Sequence, residues 1–107
     1  MTDILSSSGS LLSAIPYDDL GMIEEMTSGE FYEAAACFWT FRHLHKMTSP
    51  EAILLGDYAF GRFSYHLANI DSVPLTDAYA EFLAQDSDKG LKLEDYLRFL
   101  EEAKKSA

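Results

Sequence analysis

An all-α fold, a compact bundle of about five helices around a buried central helix at residues 50–69, is predicted by three features of the chain. Apolar residues recur at the helical period, most cleanly as Leu75, Ala78, Tyr79, Phe82 and Leu83 at i, i+3, i+4, i+7 and i+8. Helix-start chemistry precedes these runs: Pro16 and Pro74 pre-set the backbone angle of a first turn, and Ser49-Pro50 adds a capping hydroxyl. No stretch alternates with a period of two, so no strand is expected.

The segment Ser49 to Asn69 carries the most apolar side chains. Ser49 caps it, Pro50 takes the first helical position, Glu51 suits the positive end, and Asn69 can leave it in a left-handed conformation. Twenty residues make roughly 30 Å of helix. Ile53, Leu54, Leu55, Tyr58, Phe60, Phe63, Tyr65 and Leu67 surround the cylinder rather than forming one stripe, which predicts burial on most sides. Gly56 and Gly61 each weaken a helix by about 1 kcal/mol relative to alanine. Their presence is read as close approach of another helix. Asp57, beside Gly56 on the face shared with Gly61 and Ser64, reads as a solvated carboxylate at that crossing.

Residues 1–15 hold five serines and a glycine around Ile4, Leu5, Leu11, Leu12 and Ile15 without a helical or strand period, and are expected to form a flexible N-terminal arm. Residues 16–107 are expected to form a single helical domain. Pro16 opens a short helix with Asp18 and Asp19 in its first turn and Leu20, Ile23 and Met26 inward, ending near Thr27 to Gly29. Thr27 and Glu30 have capping-box spacing and launch a second helix to about Lys46. Arg42, His43, His45 and Lys46 lie at its negative end. A fourth helix runs from Pro74 to about Gln85, a loop covers Asp86 to Gly90, and a last helix from Leu93 to Lys104 turns Leu93, Tyr96, Leu97 and Leu100 inward.

One domain is all that 107 residues support. Hydrophobic residues at 48% exclude a wholly disordered chain. A formal charge of −10, from 18 acidic and 8 basic residues, argues against nucleic acid, whose phosphates need clustered Lys and Arg. The longest apolar run, Ala34 to Trp39, is far short of the ~20 residues that span a bilayer, so no membrane insertion is expected. The N-terminus lacks the layout of a signal peptide, and a cytoplasmic protein is expected. Fourteen aromatic side chains exceed what a small interior absorbs. Phe31, Phe38, Trp39, Phe60, Phe63 and Tyr65 are therefore candidates for a partner surface.

No catalytic constellation is visible. His43 and His45 point to opposite sides of a helix, no Glu-x-x-His pair is present, and Asp18-Asp19 and Glu24-Glu25 are explained by helix-start preference and solvation. No catalytic, cofactor-binding or metal-binding residue is assigned. Cys37, the single cysteine, sits among alanines and aromatics and reads as core filling rather than as a nucleophile.

The segment Ala52-Ile-Leu-Leu-Gly-Asp-Tyr-Ala-Phe-Gly-Arg-Phe-Ser-Tyr-His-Leu-Ala68 resembles the helix of the polyprenyl diphosphate synthase superfamily in which an apolar run reaches a Gly-Asp pair. It is especially similar to the small, non-catalytic component of heteromeric long-chain, heptaprenyl-type synthases. The Asp-Asp-x-x-Asp motif that holds Mg²⁺ in catalytic members is missing from Phe41 to Pro50. The resemblance implies a subunit that catalyses nothing alone, pairs with a larger catalytic chain and helps set product length, with Mg²⁺ entering only through that partner. The competing expectation is a self-contained helical adaptor or homodimer without enzymatic activity.

Overall fold

A computed structural model describes residues 16–47 and 49–106. The described residues form five helices and no strand: α1 (Tyr17–Met26), α2 (Gly29–His45), α3 (Pro50–Ile70), α4 (Val73–Lys89) and α5 (Leu93–Ser106). The expected all-α bundle is therefore present. The arm assigned to residues 1–15 lies outside the described residues.

Local chemistry sets most boundaries. Ser49 Oγ accepts a hydrogen bond from Ala52 N at 3.1 Å, and Ser72 Oγ accepts one from Leu75 N at 3.2 Å. Each satisfies an amide that a first turn leaves open. Three expected boundaries are corrected. Ser28, not Thr27, precedes α2, because the Thr27 hydroxyl donates backward to Ile23 O at 2.7 Å and Glu30 is engaged with His66. The left-handed exit from α3 falls at Asp71, with φ of 54°, and not at Asn69, because the helix continues to Ile70. Asp86 to Lys89 belong to α4 rather than to a loop, since Gly90, at φ of 62°, is the residue that reverses the chain.

The core is organised around α2. Phe38 packs its ring against Phe41, Phe63, Tyr79, Phe82 and Tyr96 with centroids 5.0 to 6.1 Å apart, joining α3, α4 and α5 to one side chain. Trp39 stacks on Tyr96 at 4.8 Å and donates its indole N–H to Asp19 in α1. Burial of residues 50–69 on most sides is not found among the described residues. α3 buries one stripe, Ala52, Gly56, Ala59, Phe63 and His66. The small residues Ala52, Gly56 and Ala59 let α2 lie close along that stripe, and α2 is the main neighbour α3 has. Its opposite side has none among the described residues.

Candidate functional site

The α2–α3 hairpin brings together polar residues far apart in sequence. His66, buried on α3, places Nδ1 2.7 Å from Glu30 Oε2, while Arg62 Nη2 lies 3.2 Å from its Nε2. A guanidinium can only donate, so Nε2 accepts and Nδ1 carries the proton that is donated to Glu30. Both ring nitrogens of His66 are thereby engaged. At the other end of the hairpin His45 Nε2 lies 2.9 Å from Asp57 Oδ1. Asp57 is 64% exposed, as expected of a solvated carboxylate at a helix crossing.

Two further networks are interior. Arg42 Nη2 donates to Asp86 Oδ1 at 2.6 Å and to Leu91 O, and its guanidinium lies 4.4 Å over the Trp39 ring. Asp86 also accepts from Leu91 N, so one ion pair fastens the end of α4 to α2. Tyr79 donates to the Tyr96 hydroxyl at 2.9 Å, and Tyr96 donates to Ala35 O at 3.0 Å. Burial pushes both phenols above their usual range by disfavouring the charged form. Burial likewise raises the Cys37 thiol, reinforced by Glu33 and opposed by Arg62, so the side chain stays a thiol. These polar groups hold helices to one another. Among the described residues, no group of three or more His, Cys, Asp or Glu side chains is arranged to hold a metal ion.

What is available to another molecule lies on the outer side of α3. Leu54, Tyr58, Gly61, Tyr65 and Ala68 follow one another at intervals of four, three, four and three, a continuous stripe opposite the buried one. Leu54 is 52%, Tyr58 69% and Tyr65 55% exposed. A Cβ built on Gly61 meets nothing of the described residues outside its own helix within 4 Å, so the stripe has a notch at its middle. Between Ala52 and Ile70 the fixed charges are Asp57 and Arg62, which cancel on a chain whose formal charge is −10. Aromatic enrichment and charge depletion together are the compositional mark of an interface core.

Two clefts lie between helices of the bundle. One of about 250 Å³ between α3 and α4 is floored by Phe38, Phe63 and Tyr79 and edged by Phe60. Another of about 370 Å³ between α4 and α5 has Phe82 and Phe99 in its wall and Glu81, Asp95, Arg98 and Glu102 at its rim.

The residues singled out from sequence divide accordingly. Gly56 is buried, and its missing side chain accommodates His45: a Cβ there would lie 2.3 Å from His45 Cδ2. The close-packing reading holds for Gly56 and is corrected for Gly61, which no part of the described chain approaches. Of the six aromatics proposed for a partner surface, Phe38, Trp39 and Phe63 are buried in the chain's own core, because α4 and α5 close over them. Phe31 packs half-buried at the core edge, and Phe60 and Tyr65 reach the surface. Leu54 and Tyr58, both more than half exposed, belong by sequence to a helix read as covered all round. Their spacing from Gly61 is the signal that identifies the face. Arg42, read from sequence only as a cation at the negative end of α2, lies around that helix between Phe38 and Trp39, and this placement on the apolar side is the signal of its burial.

No family model, curated protein or solved structure matches the chain. No helix among the described residues is long and apolar enough to cross a membrane.

Proposed function

We propose that the protein is a helical interaction module that acts by binding another polypeptide through the outer side of α3 and performs no catalysis on its own. The observation that carries this reading is the exposed stripe Leu54, Tyr58, Gly61, Tyr65 and Ala68, apolar and charge-poor on an otherwise acidic chain. Leaving large aromatic and aliphatic groups in water opposes solubility and is relieved when a partner covers them. The interior polar networks support the same reading, since the hydrogen bonds of Arg42 Nη2, Tyr79 and Tyr96 all go to other groups of the chain.

Native purification of the tagged chain tests it, with a Leu54→Ser/Tyr58→Ser variant run in parallel. The expected result is a stoichiometric polypeptide, another copy or a different chain, on the unaltered protein and its loss from the variant. Both proteins migrating alone, or both retaining the same companion, would refute the reading.

A narrower form is a small subunit of a heteromeric long-chain prenyl diphosphate synthase. It is supported by the resemblance of Ala52 to Ala68, the same segment that carries the exposed stripe, and by Asp57, which stands apart from the other acids and is bonded to His45 rather than grouped for a metal. Mg²⁺-dependent condensation of farnesyl and isopentenyl diphosphates, assayed with a catalytic synthase chain in the presence and absence of this protein, tests that form. Product length and rate that do not respond to its addition would exclude it.

A further inference from the structure

We infer that the occupant of the α3 face is a second copy of this chain, packed antiparallel through α3 about a two-fold axis passing between Ala59 and Phe60. This rests on the interaction reading above and specifies its partner.

Size complementarity argues for it first. The four-three spacing assigns Tyr58 and Tyr65 to one seam position and Leu54, Gly61 and Ala68 to the other. In the antiparallel register Tyr58 stands opposite the partner's Gly61, Leu54 opposite the partner's Tyr65, and Ala68 opposite the partner's Glu51. Each central layer then sets a bulky side chain against a smaller one, and the tyrosine ring enters the space above Gly61, which no other described helix approaches within 4 Å. A parallel pairing would instead set Tyr58 against Tyr58 and glycine against glycine, alternating collision with void, which close-packed interfaces do not tolerate.

Charge argues for it second. Two copies, each of formal charge −10, repel through most of their surfaces. The α3 face is the exception: Asp57 and Arg62 cancel at its middle, and Glu51, at the end of the seam, leaves one negative charge per copy, set against the partner's Ala68. In the antiparallel register, side chains on the same flank meet. Asp57 therefore falls beside the partner's Ser64, and the Arg62 stem lies along the partner's Leu55, with no like charges in contact. The contact is isologous, each copy offering the same patch, and it closes at two copies.

Sedimentation over a wide concentration range, with Gly61→Leu as the variant, tests the inference. The unaltered chain is expected to pass from its 12.0 kDa monomer to twice that mass as concentration rises. Gly61→Leu fills the notch at both symmetry-related places and is expected to weaken pairing by about a hundredfold or more, with helicity retained and the monomer's unfolding temperature not lowered. Orientation is read by oxidising a mixture of Tyr58→Cys and Gly61→Cys chains, both carrying Cys37→Ser. A mixed disulfide in preference to like-with-like links is expected. A dimer unaffected by Gly61→Leu, or one linking like with like, overturns the inference. So does a monomer at every concentration. A monomer that binds a different polypeptide and loses it on Tyr58→Ser leaves the interaction reading standing, whereas a monomer with no α3-dependent binding removes both.

Discussion

Gly56 and Gly61 lie on one helix five residues apart, and the same substitution is expected to have opposite effects at the two positions. Alanine is favoured over glycine in a helix interior by about 1 kcal/mol. At Gly61, which is exposed with nothing within 4 Å of an added Cβ, that gain is unopposed. At Gly56 the added Cβ would lie 2.3 Å from Cδ2 and 3.0 Å from Nε2 of His45, so the imidazole must leave. Its departure breaks the 2.9 Å contact with Asp57, about 0.2–1 kcal/mol and toward the low end for so exposed a pair. It also removes the ring contact with Phe41 at 4.6 Å, about 0.5–1 kcal/mol. Accommodating the methyl group against α2 costs a further ~1 kcal/mol or more. The balance is a Gly61→Ala chain stabilised by about 1 kcal/mol and a Gly56→Ala chain destabilised by a similar amount, each displacing Tm by about 4–8 °C. Thermal unfolding followed by circular dichroism measures both, at low concentration so that association through α3 does not contribute. Adding His45→Ala to Gly56→Ala is expected to recover about 1 kcal/mol beyond additivity, because the obstruction is then gone. If Gly56→Ala raises Tm as much as Gly61→Ala does, the imidazole does not press on the α3 backbone and the account of the hairpin crossing fails.

Arg42→Met leaves Asp86 charged at 10% exposure without its cation, and is expected to lower stability in urea unfolding by about 3–5 kcal/mol, more than any substitution of the Glu102–Lys105 surface pair. Tyr96→Phe removes the second hydrogen bond on Ala35 O, which keeps its helical one, and leaves the buried Tyr79 hydroxyl without its acceptor, at about 1–3 kcal/mol, whereas Tyr79→Phe removes one donor and leaves the Tyr96 bond intact, at about 0.5–1.5 kcal/mol. The reverse order in chemical denaturation would mean that the two hydroxyls are not chained as described. Both phenols are raised in the folded chain above the unfolded value of 10.0, so their contribution to stability is whole below pH 10.0 and is lost as pH rises above it, when the unfolded state ionises first. Alkaline unfolding monitored by tyrosinate absorbance should therefore begin near that pH and be less steep in Tyr79→Phe.

Helix identity and most helix ends were legible because they depend on a few neighbouring residues. Ser49 and Pro50 start α3 through one hydroxyl and one fixed backbone angle, and the Leu75, Tyr79, Phe82 period names the inward side of α4 unaided. Where a boundary was misread, a distant group had claimed the local residue: Glu30 binds His66, 36 positions away, instead of completing a capping box, and Asp86 binds Arg42, 44 positions away, inside a helix read as loop.

The coverage of α3 could not be read the same way. A helix apolar on most sides has an interior face and a face awaiting a neighbour, and composition treats the two alike. Periodicity and capping are short-range consequences of backbone hydrogen bonding and sterics, so the amino-acid order alone is enough to settle them. Which side of a rod is sealed is a question of how many neighbours a short chain can supply and in what register they cross. Here α2 lies along Ala52, Gly56, Ala59, Phe63 and His66, while Leu54, Tyr58 and Tyr65 stay in water because the fold has no sixth helix to set against them among its described residues.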